Sequence, residues 1–382
     1  GLDCLLKQST ELFIREIPDF ASRWNRPAYF SDLLEDAAAE LTASRQWDRI
    51  WDLLMVLLKN DADSKTLALY GHILLQAEKA GFYNIPYNAA VPDETALLGI
   101  VTGHHSYGYY QIMNLASAEA VPDALSAIYR EGPGEVPQTA ESREADVIRS
   151  FAAHALYREV YRYALLYEQE LSNGELLETA SLLHDAGYFR EAIRLVNRGM
   201  QRGSWRWTRE GFEILFPKAY AHTIERAAQE NRIDVQVLNA LIREESYFDP
   251  EAVSHAGAIG LSQLMPATAS DTARRMGMEI PDLVDPADNI SLGSYYFASL
   301  LNRFNGIPLY AVCAYNAGPT RMRRWAGAYG NLPAPLLIES IPIDETRNHA
   351  KKVLVSTVLY GYLYSGQDPK TTINYFLTGQ QQ

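Results

Sequence analysis

The sequence predicts a mainly α-helical protein in two parts, an α-solenoid or superhelix over residues 1–213 and a second α-rich domain over residues 214–382. Three observations carry this. Over residues 1–200 aromatic and aliphatic residues recur at three- and four-residue spacing, the period of one helix face, while the two-residue alternation of strands is rare. After about residue 214, loops rich in glycine and proline separate the helices. Charge divides at the same point. Of 34 Lys and Arg and 47 Asp and Glu, residues 214–382 carry 14 and 16, leaving 20 and 31 for residues 1–213, so an acidic first part precedes a nearly neutral second.

In the first part "LTASRQWDRIWDLL" and "LLHDAGYFREAIRLV" share a pattern, with Leu41, Trp47, Trp51 and Leu54 matching Leu182, Tyr188, Ala192 and Leu195 in spacing. "EKAGFY" at 78–83 echoes "HDAGYF" at 184–189. Such echoes predict helix–turn–helix units of a tetratricopeptide-like array, each burying an apolar face on the next, with a period too irregular to name the repeat and an unrelated all-α bundle as the alternative. "REGPGEVPQTAESREAD", residues 130–146, reads as a loop between helical blocks, and "GSWRWTREGF", 203–212, as the hinge to the second part.

Composition excludes several classes of function. A net charge of −13 disfavours a nucleic-acid binder, which needs a basic footprint. No apolar run approaches the roughly 20 residues of a membrane span. The two cysteines, Cys4 and Cys313, make neither a disulfide framework nor a zinc set, and Cys313 reads as a small core residue. The eight histidines have no metal-ligand spacing, and His104 and His105, being adjacent, point apart. Neither a metal nor any other cofactor is expected. The opening "GLDC" carries no secretory signal and is a poor lipobox, which reads as a soluble chain whose leader has been removed.

The second part holds the chemistry. Asp234 reads as a helix N-cap, with the helix starting at Val235 and ended by Asp249-Pro250. At 100° per residue Glu245 falls in the middle of the apolar stripe of Leu238, Val235, Ile242 and Leu241, while Glu244 falls toward the flank. A carboxyl on an apolar face is expected to have a raised pKa, as a general acid requires. That Glu245 instead pairs with a buried arginine or caps a backbone group stays open on the helix alone. Glu244 reads as a solvated residue pairing along its own helix. The next segment, "GAIGLSQLMP", carries glycines at 257 and 260 for close backbone approach and reads as a short hairpin, after which Pro266 starts a new helix.

Four separated motifs resemble the soluble lytic transglycosylases of bacterial cell-wall metabolism and, more distantly, goose-type lysozyme. They are "REES" at 243–246, "GLSQLMP" at 260–266, "AYNAGP" at 314–319 and "ESIPIDETRNHAKKVL" at 339–354, with "FPKAY" at 216–220 resembling the entry into the domain. The resemblance covers about 170 residues; before them only helicity matches. It implies a lysozyme-like α-rich domain with at most a small β-hairpin. It also implies a catalytic acid at Glu245, the residue the helical wheel selects. Ser254 and Gln263 are implied as hydrogen-bonding groups for the acetamido groups or glycan hydroxyls, Met265 as a subsite wall, Tyr315 as a group near the anomeric centre and Asn316 as a holder of sugar or loop. Glu339 is implied to orient the cleft. For Asn316-Ala317-Gly318 a plain helix C-cap is the alternative, with Gly318 left-handed and Pro319 starting the next helix. The implied substrate is the peptidoglycan glycan strand, and the implied location is the periplasm or cell-envelope exterior.

Ser262 and His349 depart from the family's usual Met and Tyr, and His349 reads as a packing or hydrogen-bonding substitute. Tyr247, Trp325 and Tyr329 are exposed aromatics able to stack on sugars. The implied reaction forms 1,6-anhydromuramyl ends with one glutamate. A lysozyme-type hydrolase using the same glutamate, and a non-catalytic wall-binding scaffold whose array recruits envelope proteins, are the rival readings.

Overall fold

A computed structural model describes residues 10–21, 30–60, 62–102, 108–115, 142–202, 208–279 and 281–380. Their helices are α1 (Thr10–Ala21), α2 (Ser31–Ala43), α3 (Trp47–Lys59), α4 (Ser64–Lys79), α5 (Glu94–Thr102), α6 (Tyr109–Leu115), α7 (Arg143–Ala153), α8 (Tyr157–Leu166), α9 (Asn173–Asp185) and α10 (Phe189–Met200). They continue with α11 (Arg209–Leu215), α12 (Ala221–Asn231), α13 (Val235–Ser246), α14 (Pro266–Met276), α15 (Pro286–Arg303), α16 (Pro308–Ala317), α17 (Pro319–Tyr329), α18 (Ala334–Glu339), α19 (Asp344–Ser365) and α20 (Pro369–Thr378). Extended structure among the described residues amounts to two isolated antiparallel bridges, Val253 with Ile259 and Ile259 with Leu264. The predicted mainly α fold with at most a small hairpin is the observed one. No described helix is long and apolar enough to cross a membrane.

The repeat echoes have a structural cause. Three helical hairpins, α2–α3, α7–α8 and α9–α10, turn in the same way. A single residue takes positive φ (Arg45 at 56°, Ala155 at 55°, Gly187 at 83°), and the following N–H reaches back to the carbonyl of Leu41, Phe151 or Leu183 at 2.8–2.9 Å. This pattern closes the helix end with a left-handed cap, and one residue later the next helix begins. "EKAGFY" ends α4 in the same way, with Gly81 at φ 72° and Phe82 N–H donating to Ala77 O at 2.9 Å.

These turns also correct the repeat register. Leu41 corresponds to Leu183, one residue beyond the Leu182 that spacing selects. With that shift the buried residues Ile50, Trp51, Leu53, Leu54 and Leu57 of α3 match the buried Ala192, Ile193, Leu195, Val196 and Gly199 of α10. Only glycine takes the left-handed position without strain, but Arg45 and Ala155 occupy it too, so the marker is missing from two of the three turns.

The chain divides into two compact units that do not follow its linear order: residues 1–119, 300–355 and 369–382 form one, and residues 120–299 and 356–368 the other. In the first, α2, α3 and α4 pack on one another, α4 packs on α5, and α18 packs on α2 and α4. In the second, α7 to α11 stack each on the next and α12 packs on α13. Side-chain caps set several starts. Ser172 and Glu175 form a capping box at α9, and Glu175 also accepts from Ser142 N–H at the start of α7 (2.8 Å), so one carboxylate ties two helix N-termini. The predicted loop at 130–146 lies outside the described residues up to Glu141, as do Cys4, His104 and His105, and the predicted hinge is described only from Thr208.

Candidate active site

α13 starts where its cap dictates: the Asp234 carboxylate accepts from Gln236 N–H (2.8 Å) and Val237 N–H (3.3 Å). The helix is buried nearly all round, including polar Gln236, Asn239 and Arg243. This overturns the reading of Glu244 as solvated. Its side chain is 4% exposed and Arg243, at 6%, pairs with it. Ser356 donates to the same carboxylate. Arg243 in turn donates to Leu215 O at 2.6 Å and lies over the Phe216 ring at 4.2 Å. A wheel with a single apolar stripe misleads here, because α13 has neighbours on more than one side. Glu244 is thereby engaged by an internal cation; Glu245 follows it, half-buried, in the last turn of the helix.

The residue after the glutamate pair stabilises the helix end. Ser246 is buried, donates to Ile242 O (3.2 Å) and accepts from Phe248 N–H (3.1 Å). Tyr247 and Phe248 both hold positive φ, 52° and 62°, which is strained for bulky side chains. The turn is secured by Phe189 of α10, whose ring meets that of Phe248 edge-on at 6.2 Å, and by the pairing of Arg190 with Asp249. The last array hairpin therefore supports the turn that follows Glu245.

The glycine loop is stitched back to that turn. Gly260 N–H donates to Ala252 O at 2.8 Å, and the Gln263 amide donates to Ala252 O (3.0 Å) and Gly260 O (2.9 Å). Ser254 folds the hairpin tip: its hydroxyl accepts from Ala258 N–H at 3.0 Å and its own N–H donates to Ala258 O at 2.9 Å. Met265, 42% exposed, immediately precedes Pro266, the first residue of α14. Glu245, Ser254, Gln263 and Met265 thus share the second unit. Ser262, the departure from the family pattern, is 1% exposed, and its N–H donates to Asn289 Oδ1 at 2.7 Å, so it faces inward.

Tyr315, Asn316 and Glu339 belong to the first unit. Tyr315 is half-buried near the end of α16. The Asn316 carboxamide accepts from the Thr346 hydroxyl and donates to the Glu345 carboxylate at 3.3 Å, which joins "AYNAGP" to "DETR". The cap alternative also holds in part. Gly318 has positive φ (89°) with ψ 145°, outside the left-handed helical region, and Pro319 starts α17. Glu339 is 1% exposed and accepts from Lys351 at 2.7 Å, with Lys351 over the rings of Tyr109 and Tyr110. Burial lowers the Lys351 pKa, and the neighbouring Glu339 works against that shift. Trp325 is 6% exposed and so is a core residue, contrary to its reading as an exposed aromatic. His349 is half-buried on α19.

Sequence reasoning did not find Arg243, Ser356 or Asn289. Asn289 leaves a signal, a carboxamide in the otherwise apolar start of "NISLGSYYF".

Comparison with known proteins agrees with these motifs. Residues 222–337 match the transglycosylase SLT domain. The soluble lytic murein transglycosylase of Escherichia coli K12 is 36% identical over 162 residues, 41% of this chain and 25% of its own. A putative soluble lytic murein transglycosylase of Haemophilus influenzae is 33% identical over 161 residues, 41% of this chain and 27% of its own. Among solved structures, an inactive mutant of the lytic transglycosylase Slt from Pseudomonas aeruginosa superposes with a TM-score of 0.62 at 24% identity, covering 97% of this chain and 63% of the other. The 70 kDa soluble lytic transglycosylase of E. coli gives 0.63 at 20% identity, covering 99% and 64%. The fold is therefore that of these proteins, a helical superhelix with a lysozyme-like domain. The matched region spans about a quarter of the curated relatives, and the chain spans less than two thirds of the solved ones.

Proposed function

We propose, from the transglycosylase SLT domain carried by residues 222–337, that this protein is a peptidoglycan lytic transglycosylase with Glu245 as its single acid and base. The observation that carries the choice of glutamate is that Glu244 is committed to a structural role inside α13, its carboxylate held by Arg243 and Ser356, which leaves its neighbour Glu245, in the last turn of the helix, for the chemistry. Protonated Glu245 donates to the oxygen that leaves between N-acetylmuramic acid and N-acetylglucosamine. Its carboxylate then takes the proton of the muramyl 6-hydroxyl as that oxygen bonds to the anomeric carbon. The product is a 1,6-anhydromuramyl end, no water is consumed, and Glu245 ends protonated as it began. Intramolecular attack has an effective molarity on the order of 10⁵ M or more, which favours it over water. The substrate's acetamido group stabilises the charge at the anomeric carbon in place of the second carboxylate of ordinary glycosidases.

The same reading assigns glycan contacts to Ser254, Gln263, Met265, Tyr315 and Asn316, and an orienting role to Glu339. It divides labour between residues 1–213, an array available to envelope partners, and residues 214–382, the catalytic part. It locates the protein in the periplasm or cell-envelope exterior.

The test is digestion of purified sacculi by the wild type and by Glu245→Gln, with released muropeptides identified by mass spectrometry. Anhydromuramyl ends from the wild type alone support the proposal. Reducing ends indicate a hydrolase with the same glutamate. Binding to sacculi without release from either protein moves it to the scaffold class.

A further inference from the structure

Asn289, on α15, is 1% exposed and uses its whole carboxamide on one loop and its flank. Its Nδ2 donates to Ile259 O (3.1 Å) and Leu283 O (2.8 Å), and its Oδ1 accepts from Ser262 N–H (2.7 Å). Its backbone oxygen accepts from the Ser262 hydroxyl at 3.4 Å. Gly260, between the clamped residues, has φ 79°, and a Cβ there would lie 2.2 Å from both Asn289 Nδ2 and Leu283 O. The close approach of loop and carboxamide is thus built for glycine on one side and asparagine on the other. From the clamped segment the hydrogen bonds run on to Gln263, to Ala252, and through Ala252 N–H to Asp249 O (3.3 Å), in the turn behind Glu245.

We infer that Asn289 is the positioning residue of the substrate-facing loop: it holds residues 259–263 so that the Gln263 segment is presented to the glycan beside the acid. This rests on the function proposed above. Asn289 touches no substrate and acts through the loop. A solvated loop amide would exchange freely, whereas Ser262 N–H, bonded to a buried acceptor, is protected.

The experiment uses the full chain as wild type, Asn289→Ala, Gln263→Ala and the double variant. Rates on solubilised glycan strands are read as kcat and KM, and amide hydrogen exchange is followed over residues 259–263. Losing buried hydrogen bonds should speed Ser262 exchange in Asn289→Ala by at least about tenfold. KM should rise by about tenfold, with kcat held within about threefold, because a ground-state contact is loosened. Since both residues act through one loop, the double variant should be no worse than the poorer single by more than about twofold. Unchanged exchange and KM in Asn289→Ala, or single effects that multiply in the double variant, overturn the inference. Should Asn289→Ala not fold, Gly260→Ala opens the clamp from the loop side, and Asn289→Asp keeps the acceptor for Ser262 while losing the donors. Both are then expected to raise KM, and normal KM in both overturns the inference. If the wild type cleaves nothing, the proposed function fails, and exchange at Ser262 still decides whether Asn289 holds the loop.

Discussion

Replacing either of two adjacent glutamates should give opposite results. Glu244→Ala leaves the Arg243 guanidinium, 6% exposed, without its carboxylate partner inside the protein. Breaking a buried ion pair from one side typically costs ~3–5 kcal/mol, because the remaining charge cannot be rehydrated. The hydrogen bond from Arg243 to Leu215 O and the stack on Phe216 remain, so the lower end of that range applies if the helix end relaxes. At ~2–4 °C per kcal/mol for a unit of this size, the unfolding midpoint should fall by ~6–20 °C. Glu245→Gln keeps the shape of a half-buried side chain and should shift stability by much less, about 1 kcal/mol or under. Thermal unfolding followed by circular dichroism measures the first quantity. Muropeptide release, assayed well below each variant's own midpoint, measures the second. Glu244→Ala should retain measurable turnover and Glu245→Gln none. A Glu244→Ala protein as stable as wild type, or an active Glu245→Gln, would refute the division of roles.

The other expectations concern the supports around the site. Burial tends to raise the Glu175 carboxyl, but hydrogen bonds from Ser172 and Ser142 outweigh it and hold its pKa down at about 2. A depressed carboxylate pKa contributes stability above the unfolded value, near 4.5, that is lost as pH falls toward 2. Wild type should therefore unfold at a higher temperature than Glu175→Gln at neutral pH, with the difference shrinking between pH 4.5 and 2; a difference that grows on acidification would contradict this. Lys351→Met should lower stability by ~3–5 kcal/mol by stranding buried Glu339, and adding Glu339→Leu should recover part of the loss; chemical denaturation of the single and double variants reads this coupling. Phe189→Ala should loosen the positive-φ turn, lowering kcat and, through the lost packing, stability as well; unaltered amide exchange at Tyr247 and Phe248 would show the ring to be a bystander.

What the sequence made legible was local. Asp234 as cap, Val235 as first helical residue and Pro266 opening the next helix were all readable, because caps and proline act within a few residues. The burial of Glu244 was not, because its partner Ser356 lies 112 residues away and the Leu215 carbonyl that holds Arg243 lies 28 away. The helical wheel picked Glu245 by assuming one buried face. The proposal keeps the same residue for a different reason: the helix is buried nearly all round, and its twin Glu244 is taken up by Arg243 and Ser356. Asn289 stood out only as a carboxamide in an apolar run; its role was not legible, since its partners Ile259 and Ser262 lie 30 and 27 residues back.

The break at residue 213 was read from composition, and composition does not determine packing: the compact units combine segments from both sides of it. α10 meets Phe248 and Asp249 in the turn that follows Glu245, and Glu35 of α2, paired with Lys65, lies 3.9 Å from the Arg347 guanidinium in "DETR". Strained backbone at Tyr247 and Phe248 persists only where surrounding contacts outweigh it, and part of that support comes from the array. Each compact unit thus holds a helix from before residue 213, α2 in one and α10 in the other, that pairs with motif or turn residues from after it and helps to hold them in place.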